Sequence, residues 1–193
     1  MLRMGFIINP IAGMGGRVGL KGTDGVLEEA LRRGAKPVAP ARGREFLLKL
    51  RELLDGDLLV VTCPAPMGEK EVKIAGFRAE VLSLSPGVET TAEDTKRAAK
   101  MMVEVCVDLI VFVGGDGTAR DISDALGGSS ETPVLGVPAG VKMYSSVFAM
   151  SPFDAAEAVE TFAKGEAGIA ETEIMDTDEE AIRSDRFSAR LYG

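Results

Sequence analysis

The chain contains no histidine. That removes Ser-His-Asp and Cys-His catalysis and every zinc site that needs an imidazole. Cysteine is nearly as scarce, with only Cys63 and Cys106 among 193 residues. Two thiols are too few for an all-cysteine zinc site. Both sit in or beside apolar runs, so the expectation is a pair of buried, reduced thiols. Long apolar runs are also missing, and no stretch approaches the ~18 residues of a membrane span. The first apolar run, within MLRMGFIINP, is short and ends at Asn9-Pro10, unlike a signal peptide. Positive charge is in the minority, 22 Lys+Arg against 30 Asp+Glu, for a net charge of −8. A chain this acidic lacks the electrostatic footprint of a nucleic-acid binder or of a protein held on anionic lipid. The expectation is a cytoplasmic protein with neither nucleic acid nor membrane among its partners.

The composition that is present, 46% hydrophobic and 27% charged, is globular and argues against disorder. The length suits one domain, or one domain and part of a second, with a core that needs no covalent staple. Apolar runs at 4–8, 57–62, 108–113 and 133–137 read as buried strands, with a weaker one at 78–83. Helical periodicity lies at 25–33, 44–54, 91–106, 118–126 and 152–164. Thr90 or Thr91 is a candidate cap for the helix at 91–106, with Glu93 and Asp94 in its first turn. Buried strands alternating with helices predict an α/β fold, a parallel sheet covered on both faces. Ligands of such sheets bind beyond the carboxyl ends of the strands, which singles out the loops after residues 8, 62, 113 and 137. Residues 168–176 and 186–192 read as strands of an antiparallel hairpin. The division expected is an α/β nucleotide-binding domain over 1–165, with 166–193 as the incomplete start of a β-rich domain.

The strongest motif is Gly114-Gly115-Asp116-Gly117-Thr118, between the strand DLIVFV and a helix. Glycines let backbone N–H groups approach a ligand, and a helix N-terminus favours phosphate. Thr118 can donate to phosphate or cap the helix. A carboxylate in a phosphate loop repels the ligand unless it binds a cation or takes a proton. Asp116 is thus a candidate for magnesium binding or general-base work, and equally for a helix cap. The spacing is neither that of a Walker A loop nor that of a dinucleotide fingerprint.

The segment VFVGGDGTARD resembles the GGDGT signature of the NAD kinase and diacylglycerol kinase superfamily. Asn9-Pro10-Ile11-Ala12-Gly13, after the first strand, resembles the N-P-x-[SA]-G loop of the same superfamily. The segment GVPAGVKMYSSVFAMSP at 136–152 looks like the archaeal AcoX-type branch of ATP- or polyphosphate-dependent NAD kinases. The resemblance implies a three-layer α/β/α domain that transfers a phosphoryl group from ATP or polyphosphate, with Mg2+, to NAD. By resemblance, Asp116 activates the ribose 2′-hydroxyl. Gly114, Gly115, Gly117 and Thr118 cradle phosphates, and Asn9, Gly13, Gly15 and Gly16 line the neighbouring loop.

Arg17, Lys21 and Lys142 are cations beside these loops, suited to neutralising phosphate or simply solvated. Tyr144, Ser145 and Ser146 stand at an expected helix start, able to bond phosphate or ribose or to cap. Asp121, a turn beyond Thr118, is a metal candidate or an exposed helix acid. The Asn-Glu dipeptide usual in NAD kinases is not evident, since Asn9 is the only asparagine. Relatives are commonly dimers or tetramers, so a homo-oligomer is also implied. The rival readings are a kinase of the same fold acting on a lipid or sugar hydroxyl, a phosphofructokinase-like enzyme, and a nucleotide-binding module without activity. The N-terminal loop and the short length count against the second.

Overall fold

The structure, a computed structural model, describes residues 1–15, 18–20, 27–54, 56–87, 89–127, 130–140, 143–177 and 189–191. In chain order the elements are β1 (Leu2–Ile8), α1 (Leu27–Arg32), α2 (Ala39–Leu53), β2 (Leu58–Thr62), α3 (Glu69–Ile74) and β3 (Arg78–Val81). They continue with α4 (Ala92–Glu104), β4 (Leu109–Gly114), α5 (Asp116–Leu126), β5 (Val134–Pro138), α6 (Pro152–Ala163), β6 (Met175–Thr177) and β7 (Ala189–Leu191).

Strands β2 and β4 are buried along their whole length, as are the last five residues of β1. Continuous apolar strands need cover on both faces, and helices supply it. Five strands pair in the order β3-β2-β1-β4-β5, every pair parallel. The period of two sends Phe6 and Ile8 to one face and Ile7 to the other. On the first face Phe46, Leu47 and Leu50 of α2 and Ala155, Ala156 and Val159 of α6 complete the core. On the second, Ala98, Ala99 and Met102 of α4 and Ala119 and Ile122 of α5 pack on Ile110 and Phe112. Each large side chain buried this way contributes about 1.5–3 kcal/mol. The result is the expected three-layer α/β/α domain.

Several local expectations are corrected. Helix α2 begins at Ala39 rather than 44: a proline occupies its first turn, and Gly43 lies against Ile8, so the apolar period fades there. Helix α3 was not anticipated, because six residues with only Glu71 and Val72 buried carry too little periodicity. No helix begins at Tyr144–Ser146. Instead the segment at 147–149 runs along the free edge of β5, where the Gly136 N–H donates to Val147 O (2.9 Å) and the Ala149 N–H to Gly136 O (3.0 Å). Helix α6 starts at Pro152, where the sequence placed it, capped by the Ser151 hydroxyl, which accepts from the Asp154 N–H. Residues 168–174 form no strand. The hairpin itself is present as the antiparallel pair β6–β7. Cys63 is buried as expected, but Cys106 is exposed. It follows the last turn of α4 in the left-handed region, with φ 56°.

Candidate active site

The strand order reverses between β1 and β4, so their carboxyl ends flank the crevice where such sheets bind ligands. After β1, the Asn9 N–H continues the ladder by donating to Val113 O (3.0 Å). The Asn9 side chain then works in two directions. Its Oδ1 accepts from the Ile11 N–H (3.3 Å), closing a local turn. Its Nδ2 donates to Thr118 Oγ1 (3.0 Å), tying the first loop to α5 across the crevice.

A third loop joins after β5. The Ala139 N–H donates to Gly114 O (2.9 Å). Gly13 faces the same Ala139 with φ +77°, and a Cβ there would stand 2.0 Å from the Ala139 carbonyl oxygen. Only glycine permits both that backbone conformation and that approach.

Gly115 is the N-cap of α5 and has no side chain to bond the first helical N–H groups. Among the described residues, a Cβ built on Gly115 meets nothing within 4 Å. Uncapped donors suit an anion. Asp116 is the first helical residue and not the cap. Its carboxylate is buried, with relative exposure of 9%. Its Oδ1 accepts from Ser145 Oγ (2.6 Å), Ser145 N–H (2.9 Å) and Tyr144 N–H (3.2 Å). Its Oδ2 accepts from the Tyr144 N–H at 3.0 Å. The Asp116 bonds thus lead to the 144–145 loop and not back onto its own helix.

Asn9, Gly13, Gly114, Gly115, Asp116, Thr118, Tyr144 and Ser145 therefore meet at one crevice, with Gly117 in the same helical turn. The Thr118 hydroxyl is buried against Asn9 and does not cap α5. Gly15 is buried, and its carbonyl accepts from the Val18 and Leu20 N–H groups (3.1 and 2.9 Å), which shapes the loop around Met14. Asp121 belongs to the α4–α5 seam. Lys96 is held above the ordinary lysine value first by its hydrogen bond to Asp124, with Asp121 among the neighbouring charges. Gly16, Arg17, Lys21 and Lys142 lie outside the described residues. The backbone of Ala139 and Met175, which holds these loops, escaped sequence reasoning. A backbone contact leaves no signal in residue type.

At the end of β2, burial and then the charge of Asp94 push the Cys63 thiol up to about 12. It is a poor nucleophile there. Among the described residues no three Cys, Asp or Glu side chains converge as a metal site.

A family model described as ATP-NAD kinase N-terminal domain matches residues 4–167. The chain belongs to this family. Its parallel sheet and flanking helices agree with that NAD kinase domain, and membership makes the protein an NAD kinase-like phosphotransferase. NAD as substrate and a nucleotide donor are general to the family. The match spans both glycine loops and the 136–152 segment. No curated protein matches the chain. Among the described residues, no helix is long and apolar enough to cross a membrane.

Proposed function

We propose that this NAD kinase domain transfers the terminal phosphoryl group of ATP or polyphosphate to the adenosine ribose 2′-hydroxyl of NAD, giving NADP. The observation that carries the reading is the placement of Asp116. Its carboxylate sits on the first residue of α5, at the switch point, beside an uncapped helix N-terminus. In the reaction, the uncapped N–H groups and Gly115 receive phosphate oxygens. Asp116 Oδ2, which among the described residues accepts one bond, takes the proton of the attacking hydroxyl. The loops anchored by Asn9–Thr118 and Gly13–Ala139 hold donor and acceptor in line, and positioning supplies most of the catalysis in phosphoryl transfer.

Mg2+ belongs to the proposal as part of the donor. The described residues offer no carboxylate cage, and Asp116 Oδ1 is already occupied by three donors. A cation that arrives with its own phosphate and water ligands fits such a site. When bound it neutralises phosphate charge.

The test is NADP formation from NAD with ATP or with polyphosphate, with and without Mg2+, for wild type and Asp116→Asn. The expected result is a loss of about a hundredfold or more in kcat for the variant. NADP formation that survives Asp116→Asn refutes the base assignment. Binding of NAD and ATP without turnover refutes the reaction while keeping the nucleotide site.

A further inference from the structure

Ser145 stands at Asp116 and has no part in the proton transfer just described. Its side chain is buried, with relative exposure of 5%. A serine hydroxyl has one proton to give and lone pairs to receive. Here the proton goes to Asp116 Oδ1 at 2.6 Å, and a lone pair accepts from the Met175 N–H at 3.0 Å. The Ser145 N–H adds a second bond to the same Asp116 oxygen. One residue on, the Ser146 N–H donates to Glu173 O at 3.1 Å. The segment that leads into β6 is thus bonded to the 145–146 loop, and that loop is bonded to Asp116.

We propose that Ser145 is a positioning residue whose hydroxyl couples the docking of β6 to the placement of the Asp116 carboxylate. Its catalytic half rests on the proposed function. The physical reason is the chain of donors. A hydroxyl that receives an N–H is polarised and becomes a better donor to the carboxylate beyond it. The bond to Asp116, at 2.6 Å, has the length expected of a hydroxyl on a charged acceptor. With Oδ1 fixed by Ser145, the carboxylate, and with it Oδ2, is held in one orientation. Undocking of β6 removes the Met175 donor and slackens that hold.

The experiment separates backbone from side chain at Met175. Met175→Pro deletes the N–H, and the first residue of a strand tolerates proline. Met175→Ala keeps the N–H and loses only the side chain. The expected result for Ser145→Ala is a fall of about tenfold in kcat for NADP formation with the KM for NAD within about threefold, as for an interaction that aids the transition state alone. Met175→Pro lowers kcat, Met175→Ala does not, and Met175→Pro costs nothing further in the Ser145→Ala background. A kcat for Ser145→Ala at or above wild type, or additive losses in the double variant, overturns the proposal. A wild type that makes no NADP overturns the proposed function, and the catalytic half with it. The relay is then judged by amide hydrogen exchange. Asp116→Ala is expected to speed exchange at the Met175 N–H about tenfold through the loosened Ser145, and an unchanged rate at Met175 refutes the coupling.

Discussion

Gly13 is the residue at which substitution should most clearly separate backbone strain from loop contact. Its φ of +77° lies in the left-handed region, and a Cβ would stand 2.0 Å from the Ala139 carbonyl oxygen. Gly34 has nearly the same φ, +83°, with no atom of the described residues within 4 Å of its Cβ position. Gly115 has φ −124° and, among the described residues, no atom within 4 Å of its Cβ position, so alanine meets neither strain nor clash there. Gly34→Ala therefore measures the left-handed cost alone, about 1–2 kcal/mol. Gly13→Ala adds a forced movement of backbone in a packed loop, about 1–3 kcal/mol more. The sum is about 2–5 kcal/mol, or a fall in Tm near 10 °C at about 2–4 °C per kcal/mol for a chain of this length. Gly115→Ala is expected to leave stability unchanged and to cut NADP formation by about tenfold or more by crowding the phosphate donors. Urea unfolding of the three variants with intact slopes gives the comparison. If Gly13→Ala is no less stable than Gly34→Ala, the contact between the first and third loops does not exist in solution, and the converged site falls with it.

The remaining predictions concern single groups. A thiol reagent should modify Cys106 rapidly in the native protein and spare Cys63, which is buried with its thiol pushed up to about 12; equal rates would refute the burial. Asn9→Ala removes the bonds to Ile11 and Thr118 and is expected to cost about 1–2 kcal/mol, read by urea unfolding against Thr118→Val. Asp94 gives an acid dependence. Burial pushes its carboxyl up, but the Thr91 N–H, the Arg97 guanidinium and the Thr91 hydroxyl outweigh that and hold it below the usual aspartate value. A carboxyl lowered in the folded state stabilises the protein above its unfolded pKa, and that contribution disappears as pH falls through the folded one. Asp94→Asn should therefore flatten the loss of stability between about pH 5 and pH 2, and an unaltered slope would show that the carboxylate contributes nothing.

The local sequence determined the strands and the place of the candidate site. LLVVT and LIVFVG have no polar face to leave in water, so they had to become interior strands of a parallel sheet, and they did. Glycines and one aspartate between such a strand and a helix marked a candidate phosphate loop, because backbone donors need neighbours without side chains. The start of α4 was legible to within a residue, as Thr90 or Thr91, since a cap is satisfied within three residues, and the structure uses Thr91. Elements without such local cause were not. Helix α3 has too few buried positions to show a period, and the 147–149 edge segment exists only because β5 has unpaired backbone to cover. Cys106 looked apolar by its neighbours, yet its exposure depends on how the chain leaves α4.

What Asp116 bonds to was decided by tertiary structure alone. The sequence left cap, base and metal ligand open, because each is consistent with an aspartate at a helix start. The fold turned the carboxylate to Tyr144 and Ser145, 28 and 29 residues away, and brought Met175 to the same serine. Hydrogen bonds between distant segments are set by where the sheet and helices place the backbone, and no local pattern encodes them. The residue types made the loop a candidate for phosphate chemistry, and the three-dimensional convergence of loops after β1, β4 and β5 brought the candidate residues together.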